Sequence, residues 1–214
     1  MPEEPAPLRR GQRGLAIIEK FLTGEMPRSG KGVSQLSRII LSFVFMNQPE
    51  SIEMFPIVDE NGNTIGEAPR TLCHDGKSML LHPVVHLHVF NSKGELYLQK
   101  RSMTKDIQPG KWDTSVGGHV SPSETVEAAL KREATEELNL TEFVPLFITR
   151  YVWESPRERE LVNSFKTITD EVPRVEKNEI DEGRYWSLQE IRESIGKGVF
   201  TPNFENEFNL VFYP

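Results

Sequence analysis

Residues 118–140 read GHVSPSETVEAALKREATEELNL, a glycine-led loop running into a helix that carries Arg132, Glu133, Glu136 and Glu137. Carboxylates at i, i+3 and i+4 share one face of an α-helix and lie within a few Å of one another. Like charges at those spacings destabilise a helix by roughly a few tenths of a kcal/mol per pair, so the arrangement calls for a cation among them. A hard divalent ion such as Mg²⁺, which takes oxygen ligands from one or two carboxylates, water and phosphate, suits the position. Glu-rich helix faces are usually solvated surface. What sets this one apart is the wider pattern, in which Gly118 is followed at fixed spacing by Glu124 and Arg132 and closed by an aliphatic Leu140. Asn139, just past the helix, is the next best residue after glycine for a left-handed C-cap.

The full pattern, G-x5-E-x7-R-E-x-x-E-E, resembles the Nudix box of the Nudix hydrolases, G-x5-E-x7-R-E-U-x-E-E-x-G-U with U aliphatic. Gly118, Glu124, Arg132, Glu133, Ala134, Glu136, Glu137 and Leu140 match it, and Asn139 replaces the second glycine. The resemblance implies an α/β protein, the mixed β-sheet of an α/β/α sandwich. It implies Mg²⁺, with Mn²⁺ as the alternative, held by Glu136 and Glu137 near Gly118, and Glu133 as a further ligand or as the base that orients water. Arg132 would fix the carboxylates through charge-assisted hydrogen bonds, with Glu124 as its acidic partner.

Upstream, residues 55–66 read as a hairpin on an Asn-Gly turn, and 80–91 (LLHPVVHLHVFN) as a long strand paired through Ser92-Lys93-Gly94 with 95–101. His82, His86 and His88 have the same parity and point to one face of that strand. The region 56–120 is also similar to the type I isopentenyl diphosphate isomerases, which share the Nudix fold. Those enzymes use a cysteine in the segment that here reads SVGGHV, and the matching position is Gly117. The sole cysteine, Cys73, lies outside it and reads as a small packed thiol. The same resemblance implies a second metal or phosphate site from His82, His119, Glu158 and Glu160, with His74 a looser candidate. Glu158 or Glu160 could equally serve as general base.

Downstream, Ser121-Pro122-Ser123 offer capping chemistry for the box helix, and strands are expected over 143–153 and 161–170, packed against it. Residues 173–183 read as an acidic loop, 185–191 as a strand ending in Trp186 before a helix capped by Ser187, and 200–212 as a final helix. Trp112, Trp153 and Phe165 read as core before they read as base-stacking platforms. The division expected is an N-terminal extension, 1–52, with two short helices, and a catalytic domain over 53–214. The apolar faces of those helices need cover, from the main domain or from a second subunit in a homodimer.

A net charge of −7 over 214 residues argues against non-specific nucleic-acid or membrane-surface binding, which needs clustered Lys and Arg. A small diphosphate remains a suitable partner if metal ions mediate its approach. A single cysteine excludes an intramolecular disulfide and fits a reducing compartment, the cytoplasm. Arg9-Arg10 before Gly14–Leu22 invites a twin-arginine export reading, against which Glu19 and Lys20 interrupt the apolar run.

Overall fold

The computed structural model describes residues 52–105, 107–171, 173–174 and 180–212. The chain divides into two units, Met1–Ser51 and Ile52–Pro214. The two helices expected in the first, and the acidic residues Glu176 and Glu179, lie outside the described residues.

The second unit opens with the hairpin β1 (Met54–Val58) and β2 (Thr64–Pro69). The Asp59 carboxylate accepts from the backbone N–H of Asn61 and of Asn63, each at 2.9 Å. Gly62 completes the turn at φ +84°, where a side chain would be strained. A short helix, α1 (Arg70–Cys73), follows. Nothing in the sequence reading anticipated it, and one turn of helix has too little periodicity to be seen.

A seven-stranded mixed sheet follows: β3 (Leu81–Phe90), β4 (Leu96–Arg101), β5 (Trp112–Asp113), β6 (Val116–His119), β7 (Leu146–Glu154), β8 (Arg159–Ile168) and β9 (Ile180–Trp186). The spatial order is β5-β4-β3-β8-β7, with β6 pairing β3 and β9 pairing β4. β3 runs parallel to β8, with His82 opposite Glu160, and antiparallel to β6, with His86 opposite Gly117. Side-chain alternation along β3 divides the molecule into layers. Val85, Leu87 and Val89 join Ala129, Leu130, Ala134 and Leu138 of α2 (Val126–Leu138) in one core. On the other side Leu96, Leu98 and Trp186 pack on α3 (Leu188–Ser194) and α4 (Pro202–Phe212) through Ile191, Phe204 and Phe208. Helices cover both faces, so the α/β/α sandwich holds.

Three local expectations are corrected. Thr125, not Ser121 or Ser123, caps α2: its hydroxyl accepts from Ala128 N–H at 3.2 Å, while Ser123 takes a left-handed φ of 65° and Pro122 stays in the loop. This leaves Glu124 outside the helix, free to receive Arg132. Of the two strands expected to pack on α2, β8 does so through Phe165, whereas β7 is an edge strand with Leu146, Phe147 and Val152 exposed. The segment read as an acidic loop already enters β9 at Ile180, and Glu182 lies 3.8 Å from Lys100 across β4. The Ser187 cap is present as a reciprocal capping box with Glu190, and Asn139 closes α2 in the left-handed conformation.

Candidate active site

The buried positions Leu130, Ala134 and Leu138 fix the rotation of α2 and turn its acidic face to the glycines of β6. A Cβ on Gly118 would fall inside the Glu133 carboxyl group, so only glycine permits this approach. Glu137 accepts from Gly117 N–H at 3.2 Å and from the Gln99 side chain at 3.0 Å. Arg132 binds the rest together. Its guanidinium donates twice to Glu124, at 3.0 Å each, to Glu133 at 2.7 Å, to Glu136 at 3.2 Å and to the His119 carbonyl at 2.9 Å. These carboxylates hold the guanidinium charged, and burial pushes the Glu133 carboxyl up despite Arg132. One guanidinium among Glu124, Glu133, Glu136 and Glu137 leaves an excess of oxygen donors beside a bare glycine backbone. That donor set fits a hard divalent ion.

The cluster opens on a cleft of about 1080 Å³, also lined by Arg70, Arg101 and Arg157. Arg70 lies 3.3 Å from Glu53, and Arg101 lies 3.2 Å from Asp113. The cleft is thus lined by cations as well as by the acidic face, a combination suited to an anion bound through metal.

A second group includes two residues of the same cleft lining, His74 and His119. The ring nitrogens of His74, His82 and His119 converge within 4.8 Å. Phe55 stacks on His82 at 5.3 Å and on His119 at 4.2 Å between centroids. The Nε2 atoms of all three are buried without a hydrogen-bond partner among the described residues. His74 Nε2 faces Glu158 at 3.4 Å without hydrogen-bond geometry. Burial keeps the rings neutral: His74 is lowered to about 4, and His82 and His119 also fall. Three buried, neutral, unsatisfied imidazole nitrogens aimed at one point match what a transition metal ion takes. Glu160, opposite His82, is pushed up to about 8 by burial and by Glu158, and it accepts from Asn203 at 3.2 Å.

His86 and His88 do not join that group although they share its face. Both meet Glu207 of α4, His86 Nδ1 at 2.7 Å and His88 Nε2 at 3.0 Å. Glu207 escaped the sequence reading, yet a signal was present: Phe204, Glu207 and Phe208 fall on one helical stripe, which places a carboxylate among buried aromatics. Asn203, Tyr151, Arg70, Arg101 and Gln99 were also missed. Tyr151 donates to Asn203 at 3.0 Å, extending the polar floor from Glu160 towards Glu207. Cys73 is 0% exposed and packs with Phe55, Ile57 and Ala68, while Trp112 and Phe165 are core and Trp153 lines the cleft.

Comparison with known proteins agrees with this geometry. The NUDIX domain matches residues 80–204. Isopentenyl-diphosphate Delta-isomerase 1 of Photorhabdus laumondii is 29% identical over 165 residues, covering 73% of this chain and 93% of the relative. PA4841, an uncharacterized Nudix hydrolase of Pseudomonas aeruginosa, is 31% identical over 133 residues, covering 62% and 78%. The crystal structure of DR0079 from Deinococcus radiodurans superposes with a TM-score of 0.64 at 25% identity, covering 75% of this chain and 99% of that one. With its box helix set against β6 and the family match spanning more than half its length, the chain belongs to the Nudix family.

Proposed function

We propose that the protein is a metal-dependent Nudix hydrolase that cleaves the phosphoanhydride bond of a small diphosphate-linked substrate, such as one attached to a nucleoside. The observation that carries this reading is the cleft itself, which is lined by Glu133, Glu136 and Glu137 together with Arg70, Arg101 and Arg157 and by no thiol. Mg²⁺ or Mn²⁺ bound by the carboxylates and the Gly118 backbone would neutralise phosphate oxygens and supply hydroxide near neutral pH. The chain's own part is orientation. Arg132 holds Glu133 and Glu136 in place against their mutual repulsion, and Gly117 N–H with Gln99 fixes Glu137. Glu133 and Glu160 both line the cleft, and burial raises both carboxyls, Glu160 to about 8. Either can take the proton of an attacking water.

Isomerisation of isopentenyl diphosphate is the second reading, favoured by the His74–His82–His119 group with Glu158 and Glu160 and by the isomerases among the relatives. Adding a proton to an alkene carbon on one face and removing another elsewhere needs two positioned acid–base groups. Gly117 supplies none, and Cys73 is sealed in its own small core. The test is incubation of the full chain with Mg²⁺ and a panel of nucleoside diphosphate sugars, dinucleoside polyphosphates, dinucleotides, nucleoside triphosphates and isopentenyl diphosphate. Products are resolved by mass and NMR. Cleavage of one member, lost in Glu137→Gln, is expected. Conversion of isopentenyl diphosphate to its allylic isomer without phosphate release would overturn the reading. A Glu137→Gln variant that binds ligand like the parent, with neither turning it over, would mark a binding domain instead.

A further inference from the structure

The floor of the cleft carries a second charged device besides the acidic helix. Glu207 is completely buried, and its two carboxylate oxygens meet two imidazoles, His86 at 2.7 Å and His88 at 3.0 Å. A buried carboxylate persists as an ion only if it is paired and hydrogen-bonded. His86 Nδ1 is hydrogen-bonded to Glu207 Oε2, whereas His88 Nε2 approaches Glu207 Oε1 without hydrogen-bond geometry. The two rings differ in what lies on their far side. His88 is fully buried, with Thr114 Oγ1 at 3.3 Å from Nδ1 and Phe212 edge-on to its ring. His86 lines the cleft. With Nδ1 turned to Glu207, its opposite edge, Cδ2 and Nε2, faces Gly117, where an added Cβ would sit 3.5 and 3.7 Å away. Gly117 is also the residue whose N–H holds Glu137.

We propose that His86 is a substrate-contacting residue that donates its Nε2–H to a phosphoryl oxygen at the cleft floor, and that Glu207 is the positioning residue that holds it there. This rests on the reading of the cleft as a diphosphate site and adds what its floor recognises. The absence of a side chain at Gly117 leaves room for an oxygen between the imidazole and the acidic face. The neutral polar side chains of Asn203 and Thr114 also line the cleft and suit an oxygen-rich group. Burial opposes a charge on His86, and Glu207 outweighs it, raising the ring to about 9. The same pair holds Glu207 ionised: burial would raise its carboxyl, and the two imidazoles more than reverse this.

The experiment titrates the full chain, loaded with Mg²⁺, with imidodiphosphate, a probe that is not hydrolysed, by calorimetry and by NMR of nitrogen-labelled histidine. In the parent, the His86 Nε2 resonance is expected at the cationic position and to move on adding the probe. His86→Gln, which keeps a donor of different reach, should weaken the probe by about tenfold or more, the size of one hydrogen bond to a charged group. Glu207→Gln should weaken it similarly and return the His86 resonance to the neutral position, a signature that loss of packing alone does not produce. Unfolding followed by circular dichroism checks both variants, and if Glu207→Gln fails to fold, His86→Gln and the parent resonance decide. Parent binding with His86→Gln within about twofold of it would overturn the inference and leave the diphosphate reading standing. A parent that does not bind imidodiphosphate would overturn both.

Discussion

Two histidine groups hang from the same face of β3, four residues apart, and they are electrostatic opposites. His82, with His74 and His119, is held neutral by burial, with all three Nε2 atoms short of hydrogen-bond partners; His86 is hydrogen-bonded to the fully buried Glu207, whose other oxygen lies 3.0 Å from His88 without hydrogen-bond geometry. The difference comes from what packs on each end of the strand. At the His82 end the covering residue is Phe55, which offers a ring face, while Glu158 stands 3.4 Å from His74 without hydrogen-bond geometry. At the His86 end it is α4, which brings a carboxylate. The first group is incomplete in hydrogen bonds among the described residues, and the second pairs His86 with Glu207. A reader of sequence sees three histidines of one parity and no reason to divide them, because the dividing residue is 121 positions away from His86.

The largest effect expected is on the acidic face that both groups border. Glu137→Gln should lower turnover of whichever panel member is cleaved by two to three orders of magnitude, as loss of an electrostatic anchor does elsewhere, while circular dichroism shows the fold unchanged. Next comes the self-contained group. Glu207→Ala leaves two imidazoles around an empty buried position and should destabilise folding by about 3–5 kcal/mol in urea near neutral pH. The incomplete group should respond in the opposite sense. His74→Gln should leave metal-free stability within about 1 kcal/mol, because that nitrogen makes no hydrogen bond. Its effect should appear as affinity for Mn²⁺ lowered at least about tenfold, read by calorimetry. Equal stability losses in both variants would erase the distinction between the two groups.

Stability against pH sharpens the same contrast. His86 is raised to about 9, so its contribution is complete below about pH 6.5 and is lost as pH rises through 9. Glu207, held below its ordinary value, contributes above about pH 4.5 and loses this as pH falls. His74 is lowered to about 4, so metal-free stability is full above about pH 6.5 and declines as pH falls towards 4. Urea midpoints across this range should show the alkaline decline shrinking in Glu207→Gln and the acid decline shrinking in His74→Gln.

How much of this was legible depended on the range of the interaction. The carboxylates of α2 follow from spacing within one helix, the hairpin from Asn61-Gly62, and the layer of β3 from alternation, all of them local. The cap of α2 was misplaced by a few residues because serine, threonine and proline crowd the loop and only the left-handed turn at Ser123 decides among them. Arg70 and Asn203 were out of reach, since each is brought to the cleft by a contact between distant elements. Asn139 offers the smallest test of local legibility. At φ 52°, Asn139→Gly should keep stability within about 0.5 kcal/mol, whereas Asn139→Val should cost about 1–2 kcal/mol in the same urea titration.

The most direct measurement is turnover of the panel in heavy-oxygen, deuterated water, with every product examined for both labels. Hydrolysis is expected to place one heavy oxygen in a phosphoryl product and to leave isopentenyl diphosphate without carbon-bound deuterium. Carbon-bound deuterium in an allylic diphosphate, with no heavy oxygen in any phosphate, would contradict it and make the histidine end of the cleft the seat of the chemistry.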